Sequence, residues 1–172
     1  MIIYKDRITG DELFSDNFPM KLIDGMYYEV EGKTVAENSG SIDESLIGGN
    51  KSAEEPTEEE YSSDTTYGVN IILTHRLRPA VPIAAKDYAT VIKPGLKLIL
   101  EKLTNEGKED EAAFFKSNLP AVVKKIKKMW DDLVVYQGES DEENGLICFL
   151  NYRENGDPYM IFLKHWLIEE KV

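Results

Sequence analysis

Residues 84–132 read AAKDYATVIKPGLKLILEKLTNEGKEDEAAFFKSNLPAVVKKIKKMWDD, and this stretch decides the fold class. Its apolar side chains recur every three or four residues on both sides of a polar connection at 105–107, which is the pattern of two amphipathic helices. Two helices with so short a connection pack antiparallel. The stretch therefore predicts a helical hairpin, with a kink or brief interruption at Pro94-Gly95 and an irregularity at Pro120, because proline removes a backbone donor.

Segments that favour β-strands lie on both sides of the hairpin. Runs rich in β-branched and aromatic residues precede it at 2–4, 26–30 and 69–77, and follow it at 133–136, 146–152 and 159–163. The Asn144-Gly145 pair between two of these runs is a strong hairpin signal. Strands, a helical pair and further strands predict one α+β domain over 1–172 with a mainly antiparallel sheet. The predicted parts are a β-core at 1–36 and 65–83, the hairpin at 84–132, and a β-meander at 133–172.

Acidic residues are concentrated in one segment. Between Val35 and Tyr67 the sequence has nine acids and one base. Low hydrophobicity combined with high like charge cannot bury enough apolar surface to offset the entropy lost when a chain is ordered. We therefore predict that residues 37–64 form a long mobile acidic loop.

The composition argues against several function classes. The sequence has 20 Lys+Arg against 32 Asp+Glu, a net charge of -12, whereas nucleic-acid binding draws its affinity from clustered cations. The one cysteine, Cys148, excludes an intramolecular disulfide framework and a cysteine-based zinc site. The longest apolar run, 146–150, is far shorter than the roughly 20 residues of a membrane helix. The first thirty residues show no signal-peptide pattern, so we expect a cytosolic protein.

The sequence contains little that resembles a catalytic motif. Residues 48–52 lack the spaced first glycine of a phosphate-binding loop. Cys148 lies in an apolar run, which favours a buried and inert thiol, and His75 and His165 lack metal-ligand spacing. We therefore predict a protein that is not an enzyme and requires no cofactor.

Two charged segments each have a structural and a functional interpretation. The segment 136–145 is rich in oxygen-bearing side chains, four of them carboxylates, but lacks the spacing of an EF-hand. It indicates either a solvated surface or a weak calcium site. Four lysines cluster in little more than one turn of the second predicted helix. They indicate either a solvated face that covers a hydrophobic seam or a docking patch for an acidic protein surface. These lysines are Lys124, Lys125, Lys127 and Lys128.

Six motifs, in order along the whole chain, carry a family resemblance. They are MIIYKD at 1–6, DELFSD at 11–16, SLIGGNKSAEE at 45–55, GES at 138–140, NYRENG at 151–156 and EEK at 169–171. The sequence resembles the translationally controlled tumour protein family. The resemblance implies a twisted, mainly antiparallel β-core (the β-tent), similar to the chaperones that hold Rab GTPases free of nucleotide. It also implies a projecting antiparallel helical hairpin and a long mobile acidic loop.

The same resemblance implies a non-catalytic, multifunctional binding protein. Its members bind calcium weakly, associate with tubulin and microtubules, support growth and survival, and contact translation elongation factors and anti-apoptotic proteins. It implies a cytoplasmic protein that is partly associated with the cytoskeleton, with secretion that needs no signal peptide. The alternative function is regulation of a small GTPase of the Rheb or Rab type, as a nucleotide-release factor or nucleotide-free chaperone. Val172 stands where many animal members end in cysteine, which argues against a disulfide-linked dimer.

Individual residues match motif positions with assigned roles. Glu12 matches a glutamate implicated in GTPase contact. Asn50 and Glu139 match positions associated with weak calcium binding, and Asp141 is a neighbouring candidate. The hairpin lysines fall in the segment assigned to tubulin. Ser45 matches a polo-like kinase site, where a phosphate is expected to weaken docking onto acidic tubulin by repulsion.

Overall fold

The computed structural model describes residues 1–36 and 66–172. The predicted mobile loop at 37–64, with Ser45 and Asn50, lies outside the described residues. The regular elements of the described part are, in chain order, β1 (Ile2–Asp6), β2 (Glu12–Ser15), β3 (Met20–Ile23), β4 (Tyr27–Glu31), β5 (Thr34–Ala36), β6 (Tyr67–Val69), α1 (Asn70–His75), β7 (Arg78–Pro79), α2 (Tyr88–Asn105), α3 (Glu109–Lys128), β8 (Val134–Gln137), β9 (Cys148–Tyr152), β10 (Pro158–Leu163) and β11 (Leu167–Lys171). In these two ranges no helix is both long and apolar enough to cross a membrane.

A six-stranded antiparallel sheet contains the predicted meander. Its strand order is β3-β4-β10-β9-β8-β7. The strands predicted at 133–136, 146–152 and 159–163 form β8, β9 and β10, with ends shifted by at most two residues. All six residues of the central strand β10 are buried, which explains its continuous apolar sequence. Between β3 and β4, Asp24 and Gly25 have φ values of 55° and 69°, as a type I′ turn requires.

A second, three-stranded antiparallel sheet has the order β11-β1-β2. It joins distant parts of the sequence, because Ile2 pairs with Lys171 and Asp6 pairs with Leu167. The strands β5 and β6 form a separate two-stranded ribbon.

The carboxylate of Asp6 connects the two larger sheets. Asp6 is 1% exposed, and its oxygens accept hydrogen bonds from the backbone N–H groups of Ile8 (2.8 Å), Thr9 (3.1 Å) and Leu146 (2.6 Å). Burial raises the pKa of Asp6 because it disfavours the charged form, while the three donors act in the opposite direction. These bonds hold the turn after β1 against the segment that leads into β9.

The helices α2 and α3 form the predicted hairpin, and the interruption expected at Pro94 is absent. Both helices continue through their prolines. Pro94 and Pro120 are exposed, as are Thr90 and Lys116, whose carbonyls lose their helical donors. Water can therefore replace the missing hydrogen bonds, so each helix tolerates its proline. Gly107, with φ of 80°, lies in the connection that ends α2.

The strand predicted over 69–77 is wrong for most of its length. Only Val69 belongs to a strand, and residues Asn70–His75 form α1. Ile71 and His75 are both buried and, being four residues apart, they lie on one face of the helix. A short apolar run is compatible with either element, and here packing overrides the strand preference of β-branched residues. Arg76, with φ of 55°, ends α1 in the left-handed conformation.

The hairpin packs on the β-core through an apolar stripe and one very close contact. The Tyr88 ring of α2 lies 5.5 Å from that of Phe149 on β9. A Cβ atom at Gly95 would lie 2.5 Å from Cζ2 of Trp166. The indole N–H of Trp166 donates to the carbonyl of Asn144, which restricts movement of the ring. The close approach of α2 therefore requires glycine at position 95.

We expect Gly95→Ala to destabilise the fold, although alanine is the better helix former. Forcing a methyl group into a packed contact costs about 1–3 kcal/mol, whereas alanine favours the helix by about 1 kcal/mol. Urea unfolding should show a net loss of roughly 1–2 kcal/mol. In a Trp166→Phe background, where the overlapping ring is smaller, the substitution should cost less. An equal cost in both backgrounds would contradict the assigned contact.

Candidate functional site

A shallow groove on α3 contains three of the four predicted docking lysines. It has a volume of about 400 Å³ and is lined by Pro120, Val123, Lys124, Lys127 and Lys128. These residues lie on one face because helical neighbours are three or four positions apart. The three lysines are exposed, and the proline and valine supply an apolar floor. We call this surface the lysine groove.

The fourth lysine, Lys125, contacts the β-core instead. Its Nζ lies 3.6 Å from Oδ2 of Asp24 and 5.2 Å from the centre of the Tyr27 ring. A hydrogen bond with Tyr27 raises the pKa of Lys125, and Asp24 acts in the same direction. Lys125 therefore holds α3 against the β3–β4 turn, apart from the lysine groove.

Glu12, the candidate for GTPase contact, is exposed at the start of β2. Its side chain is 56% exposed, and Oε1 lies 4.0 Å from Nδ1 of His75 at the end of α1. Burial lowers the pKa of His75, while Glu12 acts in the opposite direction. The buried Nε2 of His75 has no hydrogen-bond partner within the described structure. Glu12 thus presents a carboxylate to solvent beside a buried imidazole.

Glu139, a candidate calcium ligand, lies in the β8–β9 loop close to the same end of α1. Its carboxylate is 3.5 Å from Nη1 of Arg76, and its carbonyl accepts a hydrogen bond from Arg78. The next residue, Ser140, donates its hydroxyl proton to Oδ2 of Asp11 at 2.6 Å. Glu12 and Glu139 therefore contact consecutive residues, His75 and Arg76, although they are far apart in sequence.

The predicted calcium ligands do not form a complete site in the described residues. Asp141 is exposed in a turn, where its N–H donates to the carbonyl of Gly138. Among residues 1–36 and 66–172, no group of three or more His, Cys, Asp or Glu side chains could hold a metal ion. Asn50 and Ser45 lie outside these ranges. Calcium binding and phosphorylation therefore stay predictions.

Two contacts at the hairpin connection were not predicted from the sequence. Arg7 bonds both carboxylate oxygens of Glu106, at 2.9 and 2.8 Å. The Nε2 atom of His165 lies 2.8 Å from Oε1 of Glu111, and its N–H donates because a carboxylate only accepts. Burial lowers the pKa of His165, and Glu111 acts in the opposite direction. Both pairs border a cleft of about 540 Å³ and attach the hairpin connection to the β-core.

These two pairs carry no short-range sequence signal. The partners are separated by 99 and 54 residues, so neither pair produces a recognisable spacing. Each contact uses a cation or imidazole of the β-core and a carboxylate near the hairpin connection. We assign them a structural role in orienting the hairpin.

Comparisons with known sequences cover nearly the whole chain. The family profile described as "Translationally controlled tumour protein" matches residues 1–168. A protein of Branchiostoma belcheri named "Translationally-controlled tumor protein homolog" is 42% identical over 172 residues. A Labeo rohita protein of the same name is 44% identical over 173 residues. Each alignment covers 99% of both chains.

Solved structures share the fold. The translationally controlled tumor-associated protein p23fyp of Schizosaccharomyces pombe has a TM-score of 0.78 at 36% identity, with 100% of both chains covered. The NMR structure of the Caenorhabditis elegans translationally-controlled tumor protein has a TM-score of 0.68 at 32% identity, covering 100% of this chain and 99% of that one. Because profile, relatives and structures agree over the full length, the chain belongs to the translationally controlled tumour protein family.

Proposed function

We propose that this family member is a non-catalytic binding protein that docks onto the acidic surface of tubulin through the lysine groove. The observation that carries the proposal is the set of exposed lysines around an apolar floor. Within residues 1–36 and 66–172, no carboxylate lies within ion-pair distance of Lys124, Lys127 or Lys128. The same proposal includes translation elongation factors and anti-apoptotic proteins as further partners. It also includes a cytoplasmic location with partial association with the cytoskeleton.

The arrangement of the lysine groove favours docking over a purely structural role. Cations in the last turn of a helix stabilise it by opposing the helix dipole, which would account for Lys127 and Lys128. The helix dipole would not account for the apolar surface of Pro120 and Val123 among the three exposed lysines. Complementary charge raises the association rate and orients a partner, while the apolar floor provides surface for the partner to bury.

The environment of the reactive side chains supports a non-catalytic function. Cys148 is buried, and burial raises the pKa of its thiol, which disfavours the nucleophilic thiolate. His75 and His165 are buried as well, so their imidazoles have little access to a substrate. Binding surfaces, rather than a reactive centre, are the features that the described residues present to solvent.

We expect the triple variant Lys124→Ala, Lys127→Ala, Lys128→Ala to bind microtubules about tenfold more weakly or worse, because three charge contacts are lost. Co-sedimentation with taxol-stabilised microtubules measures the loss of affinity, and repeating it at two salt concentrations shows how far salt screens the interaction. The matched control is Lys93→Ala, Lys97→Ala, Lys102→Ala, which removes the same charge from exposed positions of α2. Equal weakening by both triple variants would show a net-charge effect and would refute docking through the lysine groove.

In the same co-sedimentation assay, Ser45→Glu should weaken binding to microtubules, because the added negative charge is repelled by the acidic surface of tubulin.

We also propose a weak calcium site that uses Glu139 and Asp141, with Asn50 as a further ligand. Exposed carboxylates in the β8–β9 loop support it. Because calcium would compete with Arg76 for Glu139, the dissociation constant should lie at roughly 10⁻⁴–10⁻³ M.

An NMR titration with calcium should saturate in that range at the amides of Glu139 and Asp141. Glu139→Gln should abolish the saturating shifts, whereas Glu154→Gln, which alters an exposed carboxylate in the β9–β10 turn, should leave them unchanged. Submicromolar binding, or shifts that never saturate, would contradict a weak specific site.

A second candidate function is regulation of a small GTPase of the Rheb or Rab type. The observation that favours it is the exposed carboxylate of Glu12, held on a strand beside the end of α1. A strand positions a contact residue more rigidly than a loop does.

We expect substoichiometric amounts of the protein to accelerate release of a fluorescent guanine nucleotide from such a GTPase, and Glu12→Val to abolish the acceleration. Glu154→Val is the control, because it removes the same charge from another exposed position. Acceleration that needs a stoichiometric amount of protein would indicate a chaperone of the nucleotide-free form. If Glu12→Val retains full activity, Glu12 is not the contact residue.

A further inference from the structure

A groove of about 610 Å³ lies between the β6–α1 segment and the edge of the six-stranded sheet. It is formed by different elements from the lysine groove. Its lining includes three tyrosines and three leucines, and Arg76 is the one charged residue among the described residues that line it. The aromatic, apolar and charged side chains that shape it include Tyr67, Leu73, Arg76, Leu77, Tyr136 and Tyr152. We call this surface the tyrosine groove.

The tyrosine groove exposes aromatic surface that the other described residues do not cover. Tyr67 and Tyr152 are 69% and 49% exposed, the highest values for aromatic side chains in the described part of the chain. Tyrosine and arginine are enriched in protein interfaces, where they supply most of the binding energy in central pockets. A groove with this composition is therefore suited to a protein segment with an apolar anchor.

The position of Arg76 indicates the charge of that segment. Arg76 is 75% exposed, and its contact with Glu139, at 3.5 Å, is loose and open to solvent. A guanidinium has five N–H donors, so it can receive a second carboxylate in bidentate geometry. Arg76 also has a φ of 55°, a conformation that glycine or asparagine adopts more readily at a helix end. An arginine at this position is not favoured by the backbone.

We propose that the tyrosine groove binds an apolar peptide segment of a partner protein that carries a carboxylate next to its anchor residue. The anchor lies among Tyr67, Tyr136 and Tyr152, and the carboxylate pairs with Arg76. Charge complementarity selects this occupant, because Arg76 is the one charged residue in the described lining, and its exposed contact with Glu139 leaves further N–H donors for a second carboxylate. This surface is additional to the tubulin and GTPase contacts proposed above.

The test uses a phage-displayed library of random heptapeptides, selected on the full-length protein and on three variants. The parent should enrich peptides that combine leucine, phenylalanine or tryptophan with aspartate or glutamate. Arg76→Gly should lose the preference for acidic residues and bind the selected peptides at least tenfold more weakly. Tyr152→Ser should lose binding. Val134→Ser, which removes an exposed apolar side chain of β8 that does not line the groove, should bind as the parent does.

Stability and mapping controls separate loss of binding from loss of fold. Glycine accommodates a φ of 55° without strain, so Arg76→Gly should unfold thermally at or above the temperature of the parent. Amide shifts caused by a selected peptide should centre on residues 67–77, 136 and 150–152. Three outcomes overturn the proposal: no enrichment, enrichment of basic peptides, or shifts elsewhere. Dimerisation that Tyr152→Ser abolishes, seen by analytical ultracentrifugation, would assign the groove to a second copy of this chain and also overturn it.

Discussion

The buried carboxylate of Asp6 is the constraint on which the relative placement of the two larger sheets depends. A buried acceptor must be satisfied, because an unpaired polar group in the interior costs about 1–3 kcal/mol or more. Asp6 is satisfied by three backbone donors that belong to two distant segments of the chain. The turn after β1 and the segment before β9 must therefore meet. Their meeting also brings Asp11 to Ser140, which places Glu12 and Glu139 at the same end of α1.

The hairpin is attached to this core by contacts of a different kind on each side. On α2 the contact is steric, because the absence of a Cβ atom at Gly95 leaves room for the Trp166 ring. On α3 it is polar, since Lys125 contacts Asp24. At the connection, Arg7 and His165 bind the carboxylates of Glu106 and Glu111. Fixing one face of α3 in this way directs the lysine groove away from the core, where a partner can reach it.

Periodicity in the sequence was sufficient to predict the hairpin, the meander and the α+β class, because those patterns are local. It did not separate the four lysines, because only the folded structure brings Lys125 to Asp24 and so sets it apart from Lys124, Lys127 and Lys128. Periodicity failed for Asn70–His75, because a short apolar run is compatible with either a strand or a helix. Packing in the folded protein favours the helix here. The pairs of Arg7 with Glu106 and His75 with Glu12 depend on the folded topology. The tyrosine groove draws on four strands and α1, so no single segment contains its signal.

The pairing of β1 with β11 has a consequence for the order of folding during synthesis. The strand β1 can complete its sheet only after β11 has been made, since Ile2 is paired with Lys171. Closing so long a loop is entropically costly before any contact offsets it. The helical hairpin, whose contacts are local, can form while the ribosome is still translating β8 to β11. The three-stranded sheet must wait, so β1 and β2 lack the β11 edge until residues 167–171 have been made.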